Sequence, residues 1–148
     1  MSDITTVILA AGNSTRFKAS KSKLVYPLCG LPIVSHIFNI AKKISGKNIL
    51  VVSNEKNKEE LKLILNTSKL VVQKKQKGTA DAIEQVKKYV KSKNILILFG
   101  DTPLVEVKDI RKLVSKFKKS KAKASLIAFN TSEPVSYTHL TLPTTHCV

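Results

Sequence analysis

Apolar runs rich in branched side chains alternate along this chain with segments whose apolar residues recur three or four positions apart. Residues 4–10, 49–53, 70–73, 95–99 and 124–129 are of the first kind and predict short β-strands. Between them, Ile33-Ile37-Ala41-Ile44, Leu61-Ile64-Leu65, Ile83-Val86-Val90 and Ile110-Leu113-Val114-Phe117 each put their apolar groups on one side of a helix. Strand and helix in strict alternation imply βαβ units, hence an α/β fold with a mostly parallel sheet and helices on both faces. A strand covered on both faces has no polar side to show, and Val7-Ile8-Leu9 and Ile95-Leu96-Ile97-Leu98-Phe99 are continuously apolar. In such sheets ligands bind beyond the carboxyl ends of the strands, near a topological switch point. That rule directs attention to the residues after Ala10, Gln73 and Phe99.

The chain has 148 residues, 43% of them apolar, which suits one domain with a real core. It holds no apolar run of about 18 residues, so no membrane span is expected. Met1-Ser2-Asp3 does not open a basic-then-apolar secretory signal. Cys29 and Cys147 have neither metal-ligand nor disulfide-framework spacing, and a reduced, cytoplasmic setting is expected. Twenty-six Lys+Arg against 10 Asp+Glu leave a net charge of +16. That excess raises attraction for phosphates generally. Lysine pairs such as Lys42-Lys43, Lys87-Lys88 and Lys118-Lys119 read as solvated helix faces, and few aromatics are interleaved to stack bases, so no nucleic-acid partner is expected.

Residues 135–148 differ from the rest. They contain no Lys, Arg, Asp or Glu in a chain that is 24% charged, and Thr recurs at 138, 141, 144 and 145. Ser-Tyr-Thr-His-Leu-Thr-Leu-Pro resembles translated adaptor sequence; a genuine Thr-rich strand or tail is the alternative. The expected division is therefore 1–134 as a partial domain and 135–148 as a non-native tail, which also sets aside His139, His146 and Cys147 as a metal site.

Three segments carry chemistry. Leu9-Ala10-Ala11-Gly12-Asn13-Ser14-Thr15-Arg16 leaves a strand on small residues, so backbone N–H groups can approach a phosphate or base closely. Arg16 offers a forked guanidinium, and Lys23, seven positions later, a point charge; both suit charge that builds up on phosphates. The plainer alternative is a simple turn at Gly12 with two surface cations. In the second segment Gln73 ends a strand, able to present both donor and acceptor to a base edge, and Gly78-Thr79 opens a helix with free N–H groups. A Gly turn with a Thr N-cap needs no ligand. In the third, Ile97-Leu98-Phe99-Gly100-Asp101-Thr102-Pro103-Leu104, a carboxylate ends an otherwise apolar strand expected to be central. Such a group is costly unless it faces a site or holds a cation, and Asp101 lies too far before Val107 to cap the next helix. His36 reads as packed or solvated, and Cys29 has no neighbouring base to activate it.

These segments, in this order, resemble the nucleotidyltransferase superfamily that includes the sugar-nucleotide pyrophosphorylases, and the resemblance is close to GlmU-type enzymes. The first is similar to L-A-A-G-x-G-T-R-M with a Pro-Lys seven residues past the Arg; here Ser14 stands for the second glycine and Ser22 for the proline. Gly30-Leu31-Pro32-Ile33 resembles the start of the family's first long helix. The second is similar to Q-x-x-x-x-G-T-A, which contacts uracil, with Asp81 where a His is common. The third resembles Y-G-D-x-P-L, with Phe99 for Tyr. The resemblance implies a Rossmann-like domain of the nucleotide-diphospho-sugar transferase type, missing its C-terminal part. It implies transfer of uridylyl from UTP to N-acetylglucosamine 1-phosphate. Arg16 and Lys23 would be catalytic; Leu9, Ala10, Ala11, Gly12, Lys23, Gln73, Gly78, Thr79, Phe99, Gly100 and Asp101 would bind substrate; Asp101 would hold Mg²⁺. A homo-oligomeric full-length protein is compatible with it. Glu133-Pro134 resembles the start of a further family segment, D-P-x-G-Y-G-R, that does not continue, so weak nucleotide binding and little turnover are expected of the chain as written. The rivals are a MobA-like or cytidylyltransferase activity and a non-catalytic, basic RNA-binding or nucleotide-sensing module.

Overall fold

A computed structural model describes residues 3–13, 21–66 and 69–128. Strands β1 (Ile4–Leu9), β4 (Ile49–Ser53), β5 (Lys69–Val72) and β6 (Asn94–Phe99) form a parallel sheet in the order β5-β4-β1-β6. A short antiparallel hairpin, β2 (Pro27–Leu28) and β3 (Leu31–Pro32), stands apart from it. Helices α1 (Ile33–Ser45), α2 (Lys58–Leu65), α3 (Thr79–Val86) and α4 (Val107–Lys119) fill the crossovers and follow the last strand. From β1 the chain steps outward to β4 and β5, then returns past β1 to lay down β6 on its other side. The direction of winding therefore reverses at β1, whose carboxyl end is the switch point.

Successive side chains on a strand point to opposite faces, and the core divides accordingly. Ile4 and Ile8 of β1, Ile49 and Val51 of β4, and Leu96 and Leu98 of β6 pack with Val34, Ile37 and Ala41 of α1, Leu61 of α2 and Ile110 of α4. Val7, Leu50 and Val52 face the other way, onto Ala82 and Val86 of α3. Helices thus cover both faces. Ile8, Val51, Ile37 and Leu61 are completely buried, and each such side chain contributes about 1.5–3 kcal/mol by leaving water.

The periodic segments fold where their spacing predicts, with two differences of detail and one of substance. The helix expected to include Val90 ends at Val86 and passes through a 3-10 turn at Lys87–Tyr89. The β2–β3 hairpin has no periodic signal because each strand is two residues long; its turn puts both Cys29 (φ 48°) and Gly30 (φ 81°) in the left-handed region, as a tight hairpin of this twist requires. The strand expected at 124–129 does not form over its described part. Residues 124–128 are exposed and without regular structure, Leu126 at 52% and Ile127 at 47%. An apolar, branched run supplies side chains but not the neighbouring backbone that a ladder needs, and among the described residues none pairs with it. For the same reason β6, expected to be central, is the outer strand among the described residues, and Ile95 and Phe99 on its α3 side are half exposed. The expected tail at 135–148 and its boundary at 134 lie outside the described residues. No described helix is long and apolar enough to cross a membrane.

Candidate functional site

Three strand tips meet at the switch point. The ladder runs one residue past β1 through Ala10 N–H donating to Val52 O at 2.8 Å, and Gln73 N–H extends β5 by donating to Ser53 O at 2.8 Å. Gly100 N–H donates to Leu9 O at 2.9 Å, which brings the end of β6 flush against β1. A methyl group at position 100 would sit 3.2 Å from that same carbonyl oxygen, so the junction admits only glycine without displacement of the central strand.

The floor of the site is the turn after β1, and two buried asparagines hold it. Asn54 and Asn57 exchange backbone-to-side-chain bonds of 3.0 and 2.9 Å, forming a closed turn after β4. Their remaining amide hydrogens reach across: Asn54 Nδ2 donates to Ala11 O at 3.0 Å and Asn57 Nδ2 to Ala10 O at 2.8 Å. The peptide planes of Ala10 and Ala11 are thereby fixed from behind. From above, Gln76 Nε2 donates to Ala11 O at 2.8 Å and to Asn13 Oδ1 at 2.9 Å, while Asn13 Nδ2 donates back to Gln76 Oε1. The loop after β5 is thus tied to the loop after β1.

Lys23 opens a 3-10 turn, Lys23–Val25, in which Ser22 accepts from Leu24 N–H at 3.4 Å and Val25 N–H at 3.1 Å. A serine at 22, where the resembling pattern has proline, therefore still starts this turn. From there Lys23 Nζ reaches Asp101 Oδ2 at 3.0 Å, with the two side chains 38% and 47% exposed. A pair this open to water is held weakly and can part when a ligand competes for either member. Thr102 closes the turn beneath, donating from Oγ1 to Phe99 O at 2.9 Å.

The result is a cleft of about 320 Å³ lined by Leu9, Ala10, Ala11, Gly12, Lys23, Leu24, Gln73, Gln76, Gly78, Thr79, Ala82, Phe99 and Asp101. Of the residues singled out in the sequence, Gly100 lies directly under this lining, and Arg16 lies outside the described residues. Gln73 differs from expectation: it is buried, and its Nε2 donates to Asp81 Oδ2 at 2.6 Å and Gly78 O at 3.2 Å, so its donor is spent within the protein. Gln76, Leu24 and Ala82 of the lining and the supporting Asn54 and Asn57 were not anticipated. The N-x-x-N spacing directly after β4 was a readable sign of the asparagine turn. His36 Nε2 bonds Leu28 O at 2.8 Å, tying α1 to the hairpin, and Cys29 sits exposed at the hairpin tip.

Among the described residues, Asp101 is the one carboxylate that lines the cleft, and no cluster of three His, Cys, Asp or Glu exists. That donor set does not suit an all-protein metal cage. It does suit Mg²⁺, which takes one or two carboxylates and completes its shell with water and substrate phosphates.

Residues 6–146 match the MobA-like NTP transferase domain. The chain belongs to the family of MobA-like NTP transferase domains. The match extends into the stretch read above as adaptor-like. Among curated relatives, the domain is 42% identical over 120 residues to the bifunctional protein GlmU of Buchnera aphidicola subsp. Schizaphis graminum, covering 80% of this chain and 26% of that protein. It is 37% identical over 147 residues to GlmU of Campylobacter fetus, covering 96% and 33%. The chain therefore spans about a quarter to a third of the length of these relatives. Among solved structures, a putative glucose-1-phosphate thymidylyltransferase from Bacillus anthracis superposes with TM-score 0.72 at 21% identity, over 80% of this chain and 51% of that one. A CMP:2-keto-3-deoxy-manno-octonic acid synthetase complexed with CTP superposes with TM-score 0.65 at 19% identity, over 82% and 49%. The MobA-like domain has the fold of these nucleotidyltransferases, and the family to which it belongs is one of NTP transferase domains.

Proposed function

We propose that this chain is the nucleotide-gripping part of a uridylyltransferase that joins UTP to N-acetylglucosamine 1-phosphate, giving UDP-N-acetylglucosamine and pyrophosphate. The observation that carries the reading is the convergence of three strand tips on one cleft where Lys23 and Asp101 stand 3.0 Å apart. The GlmU relatives, at 42% and 37% identity, favour uridylyl among the nucleotidyl groups. A phosphate oxygen of the sugar phosphate attacks the α-phosphorus, the bond from it to the bridging oxygen breaks, and pyrophosphate leaves with that electron pair. No protein nucleophile is required, so positioning and electrostatics do the work.

Ala10, Ala11 and Gly12, held from behind by Asn54 and Asn57, form a rigid floor under the nucleotide. Gln73 faces the base; Gly78 and Thr79 lend the first N–H groups of α3; Phe99 and Gly100 close the side wall. Lys23 sets its ammonium against the transferring and leaving phosphates, with Arg16 assigned the same task. Asp101 is the ligand for Mg²⁺, which neutralises phosphate charge when bound. Lys23 holds Asp101 through Oδ2 alone, so Oδ1 would remain for a metal ion, and a pair this open to water lets the ammonium turn toward a phosphate when nucleotide competes for it.

Thermal-shift titration with UTP, CTP and GTP in the presence of Mg²⁺ tests the base. The largest stabilisation is expected with UTP; preference for CTP or GTP moves the assignment to a cytidylyltransferase or MobA-type activity. Coupled detection of pyrophosphate from UTP and N-acetylglucosamine 1-phosphate tests turnover.

A further inference from the structure

Gln73 sits at the tip of β5, 4% exposed, with one face on the cleft. Its amide nitrogen carries two hydrogens, and two acceptors take them: Asp81 Oδ2 at 2.6 Å and Gly78 O at 3.2 Å. The reverse orientation would press the amide oxygen against a carboxylate and a carbonyl with no hydrogen between them, so the placement of nitrogen and oxygen is fixed by chemistry. What remains for a ligand is the carbonyl oxygen, an acceptor alone. The bond from Asp81 is the shorter and is charge-assisted, hence the stronger anchor. The Gly78 carbonyl at 3.2 Å is the weaker hold on the amide. The polarity that Gln73 shows to the cleft is therefore set by Asp81, a residue in the first turn of α3.

Resting on the uridylyl reading above, we infer that Asp81 is a positioning residue that determines base specificity. By holding the Gln73 nitrogen it turns an acceptor toward the base, which selects a ring bearing N–H at the contacted position. Uracil carries a hydrogen on N3, whereas cytosine has a bare nitrogen there and would meet the Gln73 oxygen lone pair to lone pair. Released from Asp81, the amide can turn over and offer N–H to cytosine instead. Selectivity between the two pyrimidines follows from a side chain one shell removed from either.

The test is calorimetric titration of the chain with UTP, CTP and pyrophosphate, each with Mg²⁺, for the wild type and for Asp81→Ala. A second variant, Asp81→Ser, suits the first turn of a helix yet is too short to reach Gln73, and it stands in if the alanine variant is poorly folded. The wild type is expected to prefer UTP over CTP by about tenfold, the worth of one polar contact made against one lost. In either variant that preference falls to about unity, with pyrophosphate affinity unchanged. A helix-capping role alone would lower melting temperature and leave the ratio intact. A wild type that prefers UTP, beside a folded variant with the same preference, overturns the role of Asp81 and spares the uridylyl reading. A wild type that binds neither nucleotide, or both equally, overturns that reading and the role of Asp81 with it.

Discussion

At the scale of single residues, Lys23 and Asp101 are the pair on which the site turns. Both are open to water, so their 3.0 Å contact is worth little to the fold; replacing either by alanine is expected to change stability by less than about 1 kcal/mol. Their effect on ligand is of another kind. Lys23→Ala should weaken UTP binding with and without Mg²⁺, because the lost charge acts on phosphate directly. Asp101→Asn should abolish the gain in UTP affinity that Mg²⁺ brings, while leaving metal-free binding near the wild-type level. Isothermal titration of both variants with and without Mg²⁺ separates the roles; equal losses in the two conditions for Asp101→Asn would remove it as a metal ligand. Asp101 could be picked out from the sequence because a carboxylate at the tip of an apolar strand has few other uses, and Lys23 because it follows the small-residue turn and Arg16 at a fixed spacing. The orientation of Gln73 could not, since it depends on α3 folding back to set Asp81 beside the β5 tip.

At the scale of elements, β1 and β4 are joined at their tips by the Asn54–Asn57 turn, which makes the floor of the cleft a property of the sheet rather than of a loop. Asn57 is 2% exposed; it accepts from Asn54 N–H at 3.0 Å and donates to Ala10 O at 2.8 Å. Removing it leaves a buried donor and a buried acceptor unpaired, so Asn57→Ala is expected to cost about 2–4 kcal/mol in urea unfolding. Nucleotide affinity should fall as well, although the side chain does not line the cleft. A variant of wild-type stability would mean that the turn stands without its side-chain bonds. The sequence made the four parallel strands and four helices legible through apolar period alone. It left the β2–β3 hairpin and the asparagine turn unread, because two-residue strands and side-chain-to-backbone bonds have no period. It also promised a strand at 124–129 that the described residues 124–128 do not form, since pattern specifies a face and pairing requires a neighbour.

At the scale of the whole molecule, the chain carries a net charge of +16, Asp101 is the one carboxylate lining the cleft among the described residues, and exposed Lys74, Lys75 and Lys77 sit on the loop between Gln73 and Gly78. Charge distributed in this way acts over about 10 Å at 0.1 M salt, on any polyphosphate, and reads no base. The hydrogen bond that the base would donate to Gln73 acts at contact distance in a buried spot and is hardly screened. The two contributions should therefore separate with ionic strength. Raising salt from about 50 to about 500 mM is expected to lower UTP affinity roughly tenfold while the ratio of UTP to CTP affinity stays within about twofold. Competition titrations at several salt concentrations measure both quantities in one series. If the ratio collapsed together with the affinity, the preference would be electrostatic in origin and the base would not be read at Gln73; if affinity ignored salt, the lysines would have no part in gathering the phosphate chain.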